Sequence, residues 1–355
     1  MAVPEILRKL LTAAGPSGYE QAPAAVFRQA AGAFAEVTHD SVGSTVAKVS
    51  GISTHPGRRS VAIVGHVDEI GLIVHHIDDD GYLWFTGVGG WDPVILVGQR
   101  VEIATRDGLV LGVVGKKPIH LLKTEEDRRK APELKGLHID IGAADRDRAL
   151  ELIRIGDPVV IAADPVRLDG SRLVSRSMDN RLGAYVALES LRRVHERGNL
   201  KGRMAAVASV EEEIGLKGAL TSSFKVRPDV ALAIDVTHAT DAPGLNEKEL
   251  GSHEFGSGPA IGRGSTLSPQ VFELLCAAAE GAGIAYTIEA HGRATGTDAG
   301  SIHISREGIP TGDLGIPLRY MHSPVEMVDL GDLEAVVELV VAFAEALDET
   351  TDLTR

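Results

Sequence analysis

The sequence predicts an α/β protein: a mostly parallel sheet covered by helices on both faces, with a small β-barrel-like domain inserted. Two observations predict this class. In the second half of the chain, apolar strand-like runs alternate with helical patterns, as they do in parallel sheets. Between residues 72 and 163, short β-type runs follow one another instead, separated by Asp-Gly and Gly-rich turns. We therefore assign residues 1–71 and 164–355 to the α/β domain and residues 72–163 to the insertion.

The first part of the chain predicts an amphipathic helix at residues 1–11 and a buried strand, VAIVG, at residues 61–65. The insertion then supplies five strand candidates, at residues 72–77, 82–86, 100–104, 109–114 and 159–162. A polar and charged stretch at residues 116–135 is expected to form a loop or flap.

A long helix is predicted at residues 180–197, where apolar side chains recur on one face and Gly198 gives a stop signal. Strands and helices alternate around and after it. The strand candidates are residues 204–210, 230–236 and 285–289, and the further helix candidates are residues 268–281 and 329–347. Such alternation predicts the parallel sheet with helices on both faces.

Composition limits the classes of partner. The chain has 355 residues, enough for about two domains at ~150 residues each. Its 36 basic and 50 acidic residues give a formal charge of -14, which argues against nucleic acid or an anionic membrane surface as a partner. The N-terminal helix is interrupted by charges too early for a signal peptide, and no apolar run approaches the ~20 residues of a membrane span. We expect a cytoplasmic protein.

Cysteine chemistry is not expected to carry the function. The single cysteine, Cys276, lies in an apolar helical pattern, so an intrachain disulfide is impossible and a buried structural thiol is expected.

The segment SVEEEIGLKGA is the most informative stretch, because three acids stand where an apolar strand ends. Four other segments supply His66 and Asp68, Asp179, Asp235 and His322, and each of the first three stands at or just after the C-terminal end of an apolar run. The carboxyl ends of parallel strands are where open α/β sheets gather ligands. We therefore expect a hydrolytic metal centre.

This set of residues suits two divalent ions. Oxygen donors with a few imidazoles favour zinc, cobalt or manganese. A dinuclear centre needs a bridging carboxylate, and Asp179, at a helix start, fits that role. The expected ligands are His66 and Asp235 for one ion, and Glu213 and His322 for the other.

Two further acids have separate expected roles. Asp68 would orient a ligand or the substrate from behind the ligands. Glu212 would be the general base that deprotonates the attacking water and later returns the proton to the leaving amine. Taken singly, Asp179, Asp235 and any one of the acids at residues 211–213 are more often solvated or capping groups. His66 alone could be a core histidine. The joint pattern favours the metal centre.

The motifs GHVDEIG, SMDNRLGAYVALE, VEEEIGLKGA, DVTHATDAPG, IGRGS, TGTDAG and PLRYMHSPVE, in this order, closely resemble the tetrahedral (TET) aminopeptidases of metallopeptidase family forty-two. The resemblance covers nearly the whole chain. It implies the zinc-exopeptidase type of fold, the same ligand set, Glu212 as base, Asp68 behind the ligands, a barrel domain used in dimerisation, and a hollow dodecamer. Two departures, Glu211 in place of glutamine and Met178-Asp179-Asn180 in place of Phe-Asp-Asp, spare the expected ligands.

Substrate contacts are less sharply indicated. His238, Thr237 and Asp241, together with Thr297 and Asp298, could line the substrate end of the site. Thr and Asp are also ordinary loop formers, so turn chemistry is an equal alternative.

The leading functional hypothesis is an aminopeptidase that removes the first residue of short peptides by means of water activated at the two metal ions. Two alternatives stay open. The same centre could hydrolyse another small amide, such as an N-acyl amino acid, or the chain could be a noncatalytic oligomeric scaffold with a structural metal.

Overall fold

The structure is a computed structural model that describes residues 2–354. The helices among these residues are α1 (Glu5–Thr12), α2 (Gln21–Ala31), α3 (Pro93–Leu96), α4 (Glu125–Arg129), α5 (Arg146–Leu152), α6 (Met178–Arg197), α7 (Lys217–Val226), α8 (Glu247–Leu250), α9 (Pro269–Ala282), α10 (Ala299–Ile302) and α11 (Leu330–Ala346). Single 3-10 turns lie at Ile119–Leu121 and Leu134–Gly136.

The strands before the long helix α6 are β1 (Glu36–His39), β2 (Thr45–Ser50), β3 (Ser60–His66), β4 (Gly71–Ile77), β5 (Leu83–Val88), β6 (Arg100–Thr105), β7 (Gly108–Gly115), β8 (His138–Asp140), β9 (Pro158–Ile161), β10 (Val166–Arg167) and β11 (Arg172–Ser175). Those after it are β12 (Arg203–Ser209), β13 (Val230–His238), β14 (Ala260–Gly264), β15 (Thr287–His291), β16 (Thr311–Arg319) and β17 (Glu326–Asp329).

The large sheet confirms the predicted fold class. Its main strand order is β1-β2-β12-β3-β13-β16-β17-β11-β10, with β14 added on β16 and β15 on β14. The central strands β12, β3, β13 and β16 are mutually parallel, whereas the strands that flank them on either side pair antiparallel. The carboxyl ends of the central strands therefore meet at one edge of the sheet.

Helix α6 lies directly on the central strands. A Cβ atom at Gly65 of β3 would be 2.2 Å from the carbonyl carbon of Gly183 in α6, so only glycine permits this approach. Leu182 and Leu191 of α6 are fully buried with Val336 of α11 in the main core. The opposite face of the sheet is covered by α7 and α10, as both-face coverage requires. The close contact between α6 and β3 brings the start of α6 to the edge of the sheet where the predicted ligands lie.

The insertion forms a closed antiparallel barrel with the strand order β4-β5-β8-β7-β6-β9. Its own core contains Leu72, Val74, Ile103 and Val159, all buried. Strand β8 and helix α5 were not predicted. Strand β8 is only three residues long, too short to give an alternating pattern. The expected flap at residues 116–135 is largely exposed and contains the short helix α4.

Other expectations can be compared directly. The N-terminal helix forms as α1, and Cys276 is buried in α9. Strand β15 begins two residues later than expected, at Thr287. Among residues 2–354, no helix combines the length and the apolar character needed to cross a membrane.

Candidate metal centre

The structure brings the five predicted ligands and Glu212 together at the carboxyl edge of the central strands. His66 ends β3 and Asp235 lies in β13. Glu212 and Glu213 follow β12, His322 follows β16, and Asp179 lies in the first turn of α6. Neighbouring parallel strands thus deliver most of these side chains to one place.

Asp179 lies between two groups of potential ligands. Its Oδ1 is 3.2 Å from Nε2 of His66, and its Oδ2 is 3.3 Å from Nε2 of His322. We call His66, Asp179 and Asp235 the inner group, and Asp179, Glu213 and His322 the outer group. Within each group the donor atoms lie within 4.8 Å of one another. The two oxygens of one carboxylate therefore serve two different groups, as a bridge between two ions requires.

Both histidines present the nitrogen that a metal needs. Nδ1 of His66 donates to the backbone carbonyl of Asp68 at 3.2 Å, and Nδ1 of His322 donates to the carbonyl of Gly90 at 2.9 Å. In the neutral imidazoles these bonds leave the lone pair on Nε2, which faces Asp179. Histidine ligands in metal sites commonly donate their other ring N–H in this way. The tautomers thus fit a divalent ion in each group.

One carboxylate oxygen of the outer group is available to bind a cation. Oε1 of Glu213 is buried and has no hydrogen-bond partner among the residues that the structure describes. It is 3.3 Å from Nε2 of His322. With His322 neutral, this buried oxygen would have no partner, and a bound cation would satisfy it. The donor set of carboxylates and imidazoles therefore fits zinc, cobalt or manganese.

The negative charge of the cluster perturbs its histidines. Contacts with Asp179 and Glu213 raise the pKa of His322 to about 11. Burial lowers the pKa of His66, but the charges of Glu212 and Asp68 outweigh it and raise that pKa well above its usual value. Without metal, protons therefore occupy the positions where cations would bind.

Asp68 holds the loop that carries Glu212 and Glu213. Its carboxylate accepts hydrogen bonds from the backbone N–H groups of Glu212 at 3.2 Å and Glu213 at 3.1 Å, and from the hydroxyl of Ser17 at 2.7 Å. Asp68 is fully buried. Asp68 lies behind the predicted ligands, and its contact with Ser17 was not anticipated.

Sequence reasoning missed Glu326. This buried carboxylate accepts hydrogen bonds from the backbone N–H groups of Met178 at 2.7 Å, Asp179 at 3.2 Å and His322 at 2.9 Å. His322 has a φ of 59°, in the left-handed region that non-glycine residues seldom adopt. Glu326 therefore links the backbone of Asp179 to that of His322. The only sequence signal was its place four residues after His322.

Glu212 faces the cluster without belonging to either group of ligands. Its Oε2 is 3.8 Å from Nε2 of His66. Burial raises the pKa of Glu212 to about 8, and the nearby Asp298 contributes in the same direction. This pKa belongs to the metal-free protein, and bound cations would lower it toward the ionised form that a general base needs.

The groups open into a cavity of about 510 Å³. Besides the cluster itself, its walls consist of Gly90, Leu216, Val236, Thr237, His238, Glu289, Thr295, Gly296, Thr297 and Met321. The predicted substrate residues His238 and Thr297 are therefore at the cavity. Asp298 is 2% exposed behind the wall and hydrogen-bonds Ser209, while Asp241 pairs with Arg319.

Comparison with known proteins places this site in a family. Residues 43–339 match the family described as M42 glutamyl aminopeptidase. The lysyl aminopeptidase of Pyrococcus furiosus is 34% identical over 349 residues, which cover 97% of each chain. Among solved structures, a TET aminopeptidase from the marine sediment archaeon Thaumarchaeota archaeon SCGC AB-539-E09 has a TM-score of 0.90 at 34% identity, covering 97% of this chain and 96% of that one.

A third similar protein is the TET1 peptidase of Pyrococcus horikoshii, described as able to assemble into a tetrahedron or a large octahedral shell. It has a TM-score of 0.85 at 31% identity and covers 97% of this chain and 99% of its own. These matches extend over nearly the whole chain and confirm the resemblance drawn from the motifs. The chain belongs to the M42 glutamyl aminopeptidase family, metal-dependent hydrolases that act on peptide bonds.

Proposed function

We propose that the chain is an aminopeptidase that holds two divalent ions, zinc foremost and cobalt or manganese as alternatives, and hydrolyses the first peptide bond of short peptides. The observation that carries the proposal is the bridging position of Asp179, whose two oxygens face His66 and His322 at 3.2 and 3.3 Å. A carboxylate in this arrangement is the central part of a dinuclear hydrolytic centre.

The inner group would hold one ion through His66 and Asp235, and the outer group the other through Glu213 and His322, with Asp179 shared. When bound, the ions would polarise the scissile carbonyl and lower the pKa of water at the site. Asp68 and Glu326 would keep the ligand-bearing loops in place through the backbone hydrogen bonds that they accept.

Glu212 would act as the general base. Its carboxylate lines the cavity and belongs to neither ligand group, so it is available to take the proton of the attacking water at Oε2 and to deliver it to the leaving amine nitrogen. His238 and Thr297, on the cavity wall, would contact the peptide. Asp298 would act from behind the wall, through Ser209 and through its charge on Glu212.

We further propose that the chain assembles into a homododecamer built from dimers, with the barrel in an interface. On the barrel strand β7, Leu109, Leu111 and Val113 are 61%, 68% and 47% exposed. Alternate residues of a strand point to the same side, so these three form one exposed apolar stripe, which favours an interface. Light scattering tests this: twelve subunits are expected, and a fully active monomer would contradict it.

Chelation with two kinds of substrate tests the function. Protein stripped of metal by a chelator should not hydrolyse aminoacyl-anilides or short peptides, and zinc, cobalt or manganese should restore hydrolysis. The same peptides with an acetylated N-terminus should not be cleaved. Cleavage of N-acyl substrates alone would favour another amide hydrolase, and no hydrolysis in any state would favour a scaffold.

A further inference from the structure

One carboxylate on the cavity wall belongs to neither ligand group and has no role in the proposed proton transfer. Glu289 lies in β15, and β15 is joined to the central sheet through β14, which pairs with β16. The side chain of Glu289 extends from this added strand back to the cavity. It is therefore the one charged group of the wall outside the catalytic cluster among the described residues.

Two neighbours hold this carboxylate in position. The hydroxyl of Thr237, on β13, donates to Oε1 of Glu289 at 2.8 Å. Gly315, on β16, lies beneath Oε2: a Cβ atom there would be 3.2 Å from Oε2 and 2.8 Å from Cγ2 of Thr237. A side chain at position 315 would thus fill the space that the carboxylate uses. Oε2 itself receives no hydrogen bond from any residue in the described part of the chain.

The position of Glu289 relative to the catalytic cluster follows from β13. Asp235 and Thr237 are two residues apart on one face of this strand, roughly 7 Å along it. The carboxylate of Glu289, which Thr237 contacts, therefore lies beyond the inner group by about the length of one side chain. Leu216, Val236 and Met321 add apolar surface to the same cavity. A long side chain with an apolar stem and a charged end would find both kinds of partner there.

The charges of the cavity leave Glu289 without a counterion. Two divalent ions would offset Asp179, Glu213, Asp235 and Glu212. None of the described residues that line the cavity is a lysine or an arginine. A second acid, Asp313, lies behind Thr297, but burial raises its pKa to about 7 and Nε2 of His291 lies 3.7 Å from it, so Glu289 carries the charge of this wall. This wall therefore repels an acidic side chain and attracts a cationic one.

We propose that Glu289 is a specificity-determining residue that selects peptides whose first residue is basic, lysine or arginine, by pairing with the side-chain cation. The inference rests on the proposed aminopeptidase function and narrows its substrate class. The α-ammonium group, common to all substrates, is a different possible partner of Glu289, and the experiment separates the two.

The test compares lysyl-, norleucyl- and glutamyl-anilides, because norleucine has the carbon chain of lysine without its ammonium group. The metal-loaded protein should hydrolyse the lysyl substrate with the highest kcat/KM. Glu289→Gln keeps an oxygen that can accept from Thr237 but removes the charge. It should lower kcat/KM for the lysyl substrate about 10- to 100-fold, the scale of a charged hydrogen bond, and leave the norleucyl substrate within about twofold.

The matched control is Glu273→Gln, which removes the same charge from an exposed position on α9 and should change neither substrate. A wild-type protein that prefers norleucyl or glutamyl substrates would overturn the inference. An equal loss on all substrates in Glu289→Gln would assign the carboxylate to the α-ammonium group and would also overturn it. No hydrolysis of any substrate by the metal-loaded wild type would instead contradict the proposed function.

Discussion

Apart from Asp179, which both groups share, the inner group is built on strands and the outer group on loops. His66 and Asp235 lie in β3 and β13, whose backbones are held by the parallel ladder of the sheet. Glu213 and His322 lie beyond the ends of β12 and β16. The side chain of His66 is 1% exposed and that of His322 is 34% exposed. The inner group is therefore positioned by the sheet itself.

The outer group depends on acids that accept backbone hydrogen bonds. Asp68 holds the Glu212–Glu213 backbone, and Glu326 holds the backbone of His322. Since the loops lack a ladder of their own, these buried carboxylates take its place. The comparison teaches that one cluster can combine a half held by the strand ladder with a half that is held by a few side-chain hydrogen bonds and is open to the cavity. It predicts that the outer ion is lost first when metal is removed.

The largest effect on metal binding is expected at Asp179, which the inner and outer groups share. Asp179→Ala removes the carboxylate shared by both, so the variant should bind neither ion tightly and should lose hydrolysis. Metal counting on purified protein measures this. For comparison, His66→Ala and His322→Ala should each weaken one ion first. Two tightly bound ions in Asp179→Ala would refute the shared bridge.

A smaller effect is expected at Glu212, for which we propose the role of base and not of ligand. Glu212→Gln should keep both ions and lower kcat by ~10²–10⁴-fold, the scale of general acid–base catalysis. Steady-state kinetics together with metal analysis distinguish this from loss of metal. Near-normal turnover with both ions bound would exclude the role of base.

The pH dependence of metal binding sharpens the comparison for the outer group. The raised pKa of His322, about 11 in the metal-free protein, means that its Nε2 holds a proton at neutral pH. Binding must release that proton, so the apparent affinity should rise with pH, by roughly tenfold per unit for each proton released. Calorimetry in buffers of different ionisation enthalpy measures the proton release. An affinity that does not change with pH would be inconsistent with this account.

The smallest effect is expected at Glu326. Glu326→Gln replaces one accepting oxygen by an amide group that cannot accept, so the backbone of His322 or of Asp179 loses a partner. The outer ion should bind about 10- to 100-fold more weakly, as is usual for residues that orient ligands. Competition with a metal-binding dye measures the affinity. Glu307→Gln, an exposed acid, is the matched control and should change nothing; unchanged affinity in Glu326→Gln would remove its positioning role.

His66, Asp179 and Asp235 could be proposed as ligands from sequence because each ends an apolar run that is readable as a strand or lies at a helix start, whereas His322 follows a strand that the sequence does not show. The sequence TGDLGIPLR of β16 was not predicted, since Gly, Pro and Asp are rare in strands. Glu326 and Glu289 escaped for another reason. The fold brings Glu326 to the backbone of His322 and Glu289 to the cavity wall, and both contacts join segments that no local sequence pattern connects.

The central claim is that these groups form a two-ion hydrolytic centre, and a titration of metal-free protein with zinc or cobalt tests it most directly. Hydrolysis of an aminoacyl-anilide is followed as ions are added, with bound ions counted in parallel. The account predicts no hydrolysis without metal and full activity once two ions are bound per chain. On dilution into chelator, the ion of the outer group should be lost first. Full hydrolysis in excess chelator, or ions that bind in the Asp179→Ala variant as they do in the wild type, would contradict it.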